Sequence, residues 1–276
     1  MSLSTIGRYQ VEDELAQGGM GLIYRARDPY MQRQVVIKVL TYQHVTDEVF
    51  REFFQREAEI IAALEHPCIV PVYDFGWYGA QPYIVMRYMA GGTLEDRLQR
   101  GELKQTEIAH VFSRVAEALD AAHARTVIHR DVKPSNILYD AQGEVYLADF
   151  GIAKSLALTD EAGTWLVGTP AYMSPEQVLD QPLDGRSDVY AMGIMLYRIL
   201  TGQLPFAAES VSSLVNAHVA LPVPEMRVIR ANIPAVWQEV VGKALSKDPA
   251  DRHASAGDFA RDVREVATGR WYLRKL

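Results

Sequence analysis

His129-Arg130-Asp131-Val132-Lys133-Pro134-Ser135-Asn136, followed by Asp149-Phe150-Gly151, sets the terms on which the rest of this chain is read. The first run places a carboxylate, an ammonium and a carboxamide on one short loop, and the second sets another carboxylate beside a phenylalanine and a glycine. Asp131 can orient an attacking hydroxyl and Lys133 can balance developing negative charge. Asn136 and Asp149 are hard oxygen donors of the kind a small divalent cation takes. Groups of these types in this order suit the transfer of a phosphoryl group. A merely solvated charged loop has no reason to keep that order ahead of an Asp-Phe-Gly run.

The surrounding chain has 276 residues, 49% of them hydrophobic, which suits one large domain or two lobes sharing a cleft. Lys and Arg total 28 against 35 Asp and Glu, a net charge of −7. No basic block compensates it, which argues against nucleic acid or an anionic membrane as a partner. No apolar run reaches about 18 residues, so no membrane contact is expected within the chain. The opening residues lack the basic start and long apolar centre of a signal peptide. Cys68 is the single cysteine, so an internal disulfide is impossible and a reducing compartment is expected. Within His66-Pro67-Cys68-Ile69-Val70 it reads as a packing residue. The seven histidines show no metal-ligand spacing with cysteine or carboxylate.

Upstream of the polar run the chain reads as strands over 9–17, 22–28 and 34–40, with two more near 70–75 and 82–88. A helix is expected over 47–64, capped by Asp47, with Phe50, Phe53, Phe54, Ile61 and Leu64 on one inward face. Glu57 falls on that face as well, where a carboxylate is costly unless a cation meets it. Met89-Ala90-Gly91-Gly92 reads as a hinge, spanning about 87–92, and the chain beyond it is mainly helical. Residues 106–125 carry an apolar stripe, 236–245 and 259–266 are amphipathic, and 189–200 is apolar on nearly every side and ends at Gly202. The expected fold class is α+β. A small mostly-β lobe with one helix, over about 8–88, joins a larger mostly-α lobe over about 93–266, leaving 267–276 as a tail or the start of a linker.

Leu15-Ala16-Gln17-Gly18-Gly19-Met20-Gly21-Leu22-Ile23-Tyr24 reads either as a plain hairpin turn or as a glycine-rich cover for phosphates. Val35-Val36-Ile37-Lys38 comes after it. Together with the two opening runs, these stretches resemble the eukaryotic-type (Hanks-type) serine/threonine protein kinases, bacterial branch, over about residues 8–266. Gly168-Thr169-Pro170-Ala171-Tyr172-Met173-Ser174-Pro175-Glu176 is similar to that family's peptide-receiving segment. The resemblance implies ATP with Mg2+ (Mn2+ as the alternative) and protein Ser/Thr hydroxyls as acceptors. It implies a two-lobed protein-kinase-like fold. It further implies that the backbone of Ala16, Gln17, Gly18, Gly19 and Gly21 covers the phosphates, and that Lys38, paired with Glu57, holds two of them. Ile23, Val36 and Leu138 would sandwich the adenine, with Met86 as gatekeeper, Arg87 beside it and Met89 offering its N–H. Asp131 would orient the substrate hydroxyl, Lys133 would balance the γ-phosphate, and Asn136 and Asp149 would bind the metal. The same resemblance pairs Glu176 with Arg252, has Asp188 tether the catalytic loop through backbone N–H groups, and packs His129 under Phe150.

Ser155, Thr159 and Thr164 lie where the resemblance implies an activation segment, and autophosphorylation is expected at Thr164, Thr159 or both, with Arg130 receiving the phosphate. Trp165 reads as a loop aromatic. Three positions depart from the family pattern, namely Ala16 for glycine, Val36 for alanine and Arg87 for glutamate. They motivate a pseudokinase scaffold as the second reading. A small-molecule phosphotransferase, the third, is disfavoured by the peptide-receiving segment. Arg8 and Asp74 match positions of a back-to-back homodimer contact between small lobes. The expected location is cytoplasmic, alone or as the intracellular domain of a membrane receptor kinase.

Overall fold

The computed structural model describes residues 5–18, 21–40, 48–150 and 170–271. They divide into two compact units, one ending at Ala90 and the other formed by Gly91–Phe150 with the chain after Thr169.

Antiparallel strands build the first unit. β1 (Thr5–Ile6), β2 (Tyr9–Gly18), β3 (Gly21–Asp28), β4 (Arg33–Leu40), β5 (Val72–Tyr78) and β6 (Gln81–Arg87) form one sheet in the order β1-β2-β3-β4-β6-β5. Side chains alternate across a strand, so β4 sends Val35, Ile37 and Val39 to one face and Val36 and Lys38 to the other. The first face closes a core with Ile6, Tyr9, Tyr24, Ala26, Tyr83 and Val85. Register builds the second, setting Lys38 opposite Ile23 of β3 and Ile84 of β6, and Val36 opposite Met86. Gly21 opens β3 at φ +143°, where an added Cβ would lie 1.9 Å from the Val39 carbonyl oxygen. Only glycine allows β3 to meet β4 at that point.

Helix α1 (Glu48–Ala62) buries Phe50, Phe54, Ala58 and Ile61, a stripe at helical spacing. Phe54 meets the rings of Phe75 and Trp77 edge-on, with centroids 6.3 and 5.4 Å away, which anchors the helix to β5. Phe53 and Glu57 are half-buried at the margin of the stripe. Asp47, the expected cap, lies outside the described residues.

The second unit is helical apart from one short hairpin. It contains α2 (Leu94–Arg100), α3 (Gln105–His123), the hairpin of β7 (Ile137–Tyr139) and β8 (Val145–Leu147), and α4 (Pro175–Val178). α5 (Gly185–Thr201), α6 (Val211–Ala220), α7 (Met226–Ile229), α8 (Val236–Ala244) and α9 (Ala256–Ala267) complete it. The run read as apolar on nearly every side is α5, which is packed by α3, α8 and α9. A Cβ on Gly193 would come within 2.9 Å of Ala244 and Leu245, so the glycine lets α5 and α8 approach closely. α5 ends at Gly202, whose left-handed φ of +79° closes the helix. α3 carries its stripe against α9, where Phe112 and Phe259 stack edge-on at 5.7 Å. The architecture is the α+β class expected, a curled sheet with one helix and a helical unit. No described helix is long and apolar enough to cross a membrane.

Candidate active site

One buried carboxylate holds the loop between α3 and β7. Asp188, in the first turn of α5, accepts the His129 and Arg130 backbone N–H groups on Oδ2 and Oδ1, each at 2.9 Å. His123, at the end of α3, places Nε2 2.7 Å from the same Oδ2. Burial alone would push the Asp188 carboxyl up, but the bond and charge of His123 hold it below its usual range. Desolvation pulls His123 down, and Asp188 outweighs it and raises the imidazole pKa. With its N–H fixed in this way, Arg130 takes a left-handed φ of +65°.

His129 is fully buried, and both ring nitrogens are engaged. Nδ1 accepts the Asp131 N–H at 3.2 Å, so Nε2 carries the proton and donates to the Ala148 carbonyl at 2.9 Å. Its ring lies 4.6 Å from that of Phe150, and desolvation lowers its pKa. His129 is therefore a spacer that sets the position of Asp131, with no nitrogen left to act as a base.

Around Asp131 the loop side chains converge. Lys133 Nζ stands 2.8 Å from Asp131 Oδ2. The Asn136 amide donates both hydrogens to Asp131, one to the backbone carbonyl at 2.8 Å and one to Oδ2 at 3.1 Å. This fixes the orientation of the amide and leaves Asn136 Oδ1 with no donor among the described residues. The Asn136 carbonyl accepts the Ala148 N–H at 2.9 Å, which brings the chain at Asp149 alongside. Asp149 itself has a left-handed φ of +62°. An amide oxygen fixed in this way beside a carboxylate is the donor set that fits a hard divalent cation.

The Ser174-Pro175-Glu176 run is tied to the same loop. Ser174 caps α4 with its partner Gln177, and Gln177 Nε2 donates to the Arg130 carbonyl at 3.0 Å. Glu176 meets Arg252 bidentately at 2.7 and 2.8 Å and also accepts the Ser187 hydroxyl at 2.6 Å. The remaining Arg252 N–H groups go to the carbonyls of Ser246, Arg186 and Lys247 at 2.8, 3.0 and 3.0 Å. All five guanidinium N–H donors are thus satisfied. Burial would raise the Glu176 pKa, and the bonds from Arg252 and Ser187 hold it below its ordinary value.

In the first unit Ile23, Val36, Lys38 and Met86 share the sheet face opposite the core. Lys38 on β4 and Glu57 on α1 belong to this same unit. Ala16 and Gln17 are exposed near the end of β2, Gly18 pairs with Gly21, and Met89 is buried just past β6, beyond the half-buried Arg87. Leu138 is half-buried on β7 in the second unit. Gly19, Ser155, Thr159, Thr164, Trp165, Gly168 and Thr169 lie outside the described residues. Arg8 is engaged within the chain, 3.2 Å from Asp74 and 3.5 Å from Asp28, and Tyr9 donates its hydroxyl to Asp74 at 2.7 Å. Sequence reading missed His123, Gln177 and a cluster of Glu95, Tyr172 and Arg198. Their partners stand 65, 47 and 103 residues away, beyond any local pattern.

A buried aspartate holding a His-Arg-Asp loop, with the Asn136 amide bound to Asp131 and the backbone at Asp149 alongside, defines a phosphotransferase site built on the protein kinase pattern. A profile of the family described as Protein kinase domain matches residues 9–263, and the chain belongs to that family. It is 41% identical over 95% of its length to serine/threonine-protein kinase PknH of Mycobacterium bovis, covering 44% of that protein. Identity to PknL of Mycobacterium tuberculosis is 38%, covering 94% of this chain and 66% of the relative. For PrkC of Bacillus subtilis it is 36%, covering 94% and 40%. The chain thus spans less than half the length of PknH and PrkC. The crystal structure of the Mycobacterium tuberculosis PknI kinase domain superposes with a TM-score of 0.77 at 31% identity, covering 95% of this chain and 97% of that one. Membership of the family implies use of ATP and a divalent metal.

Proposed function

We propose that this chain is an active serine/threonine protein kinase domain, extending over residues 8–266, that transfers the γ-phosphoryl group of ATP to Ser/Thr hydroxyls of proteins. The observation that carries the reading is the convergence on Asp131, where Lys133 Nζ is 2.8 Å from Oδ2 and the Asn136 amide is locked by two bonds. In this role Asp131 orients the acceptor hydroxyl and takes its proton late in the reaction. The transition state is loose, so holding that oxygen in line matters more than base strength. Lys133 stands beside the carboxylate to balance charge on the transferred group. Asn136 Oδ1 and Asp149 would hold Mg2+, with Mn2+ as the alternative, and the ion would supply charge neutralisation on the phosphates.

In the first unit, Lys38, oriented by Glu57, holds the α- and β-phosphates, and the backbone of Ala16, Gln17, Gly18, Gly19 and Gly21 covers them. On this unit adenine packs against Ile23 and Val36, with Met86 and Arg87 at its edge and the Met89 N–H as a donor. Autophosphorylation at Thr164, Thr159 or both would raise activity, with the phosphate bound by Arg130. The domain works in the cytoplasm, alone or as the intracellular part of a membrane receptor kinase. A back-to-back dimer through Arg8 and Asp74 would have to reuse groups that already pair within the chain. Every charged group the reaction needs is present, which leaves the scaffold reading without support.

Radiolabelled ATP tests the proposal, with Asp149→Asn as the control. The expected result is label on the wild-type chain and on a Ser/Thr peptide. Asp131→Asn should lower kcat by about 100-fold or more. Wild-type labelling no higher than that of Asp149→Asn would leave a scaffold.

A further inference from the structure

The cluster of Glu95, Tyr172 and Arg198 plays no part in the phosphoryl chemistry, yet it is built like a recognition site. Arg198, in the last turn of α5, grips Glu95 through Nη1 and Nη2 at 2.7 and 2.5 Å. The other Nη1 hydrogen goes to the Tyr172 hydroxyl at 2.8 Å. These bonds fill the end-on edge of the guanidinium. Its side edge, made of Nε–H and the second Nη2–H, has no partner among the described residues. That edge is itself a parallel pair of donors matched to a carboxylate. The side chains of Arg198 and Glu95 remain 26% and 25% exposed, so solvent reaches the pair.

Both arms of the cluster are fastened to the catalytic loop. Tyr172 lies just ahead of α4, whose Gln177 donates to the Arg130 carbonyl. Glu95 is in the first turn of α2, and the preceding Thr93 bridges to Leu138, two residues past Asn136. Gly91 and Gly92 complete that attachment through bonds to Tyr139 at 2.8 and 2.9 Å.

We propose, building on the kinase reading, that Arg198 is a specificity-determining residue whose outer edge receives the carboxylate of a Glu or Asp near the phosphoacceptor of the substrate. Charge alone does not decide between an acidic and a basic ligand, because the Arg198–Glu95 pair is neutral. The donors decide it. Each Glu95 oxygen already accepts a guanidinium N–H, so a substrate lysine would compete with Arg198 for it, whereas a substrate carboxylate meets two unmet donors.

The test is kcat/KM on Ser/Thr peptides in which each flanking position is in turn Ala, Glu or Lys, for the wild type, Arg198→Met and Glu95→Gln. The wild type should favour Glu over Ala at one position by about threefold to fivefold. In Arg198→Met that ratio should fall towards one. In Glu95→Gln it should rise, because the guanidinium charge is no longer shared. Thermal melts report whether each variant is folded, and Glu95→Gln decides alone if Arg198→Met is not. The proposal is overturned if no position favours Glu, if the preference survives in Arg198→Met, or if the wild type favours Lys and Glu95→Gln abolishes that. Labelling without an acidic preference sinks this subsite only. No labelling above Asp149→Asn sinks the kinase reading and the subsite with it.

Discussion

Arg252–Glu176 and Arg198–Glu95 are the same chemical object in two settings. Each is a bidentate guanidinium–carboxylate pair reinforced by a hydroxyl, Ser187 in one case and Tyr172 in the other. The first is sealed, with side chains 0% and 4% exposed and every Arg252 donor used. The second is about a quarter exposed, and one guanidinium edge has no partner among the described residues. A sealed pair cannot be exchanged for water or a ligand, so it locks α4 to the chain near Arg252. An open pair contributes little to stability and stays available for recognition.

That contrast can be broken by substitution, starting with the sealed pair. Arg252→Met should destabilise the fold by about 3–5 kcal/mol, because it strands the Glu176 carboxylate in the interior, and a shifted denaturation midpoint would show it. A loss under about 1 kcal/mol would mean that the interior readily rehydrates.

Removing the carboxylate charge beneath the catalytic loop comes next. Asp188→Asn leaves one oxygen to accept and turns an NH2 towards a backbone donor, at a cost of about 2 kcal/mol. Activity should fall further than stability explains, since His129 and Arg130 lose their fixed position. Unchanged kcat in a folded variant would show that the loop holds itself.

A smaller effect concerns pH. The folded pKa of His123 is raised by Asp188, with Asp120 and Asp184 adding to it. The stabilisation from the charged imidazole is therefore complete below the unfolded value of about 6.5 and is lost as pH rises through the raised value. The wild-type melting temperature should decline over that window, and His123→Ala should show a flatter profile there. Parallel profiles would remove His123 from the tether.

The least effect is expected at the open pair. Glu95→Gln should change stability by no more than about 1 kcal/mol while altering peptide preference. A change as large as that of Arg252→Met would make the two pairs equivalent.

Much of this was legible in the primary structure because it is local. Asp131, Lys133 and Asn136 lie within one loop, and the alternation of Val35, Val36, Ile37 and Lys38 already states which side chains share a face of β4. The uniform apolarity of 189–200 foretold a central helix, and Gly202 its end. The β7–β8 hairpin escaped notice because three residues per strand are too few to show a period. α2 and α6 carry too weak an apolar stripe to stand out from their flanks, Leu94 being the buried hydrophobic residue of α2 and Ala217 that of α6.

Residue order by itself determined the fold class and which chemical groups the catalytic loop carries, since backbone preference and side-chain type act over a few neighbours. Tertiary structure alone decided that His123 meets Asp188, that Arg252 is fully enclosed, and that one edge of Arg198 has no partner among the described residues. Those outcomes depend on which helix faces come together and how much water they exclude, and no stretch of contiguous residues records that.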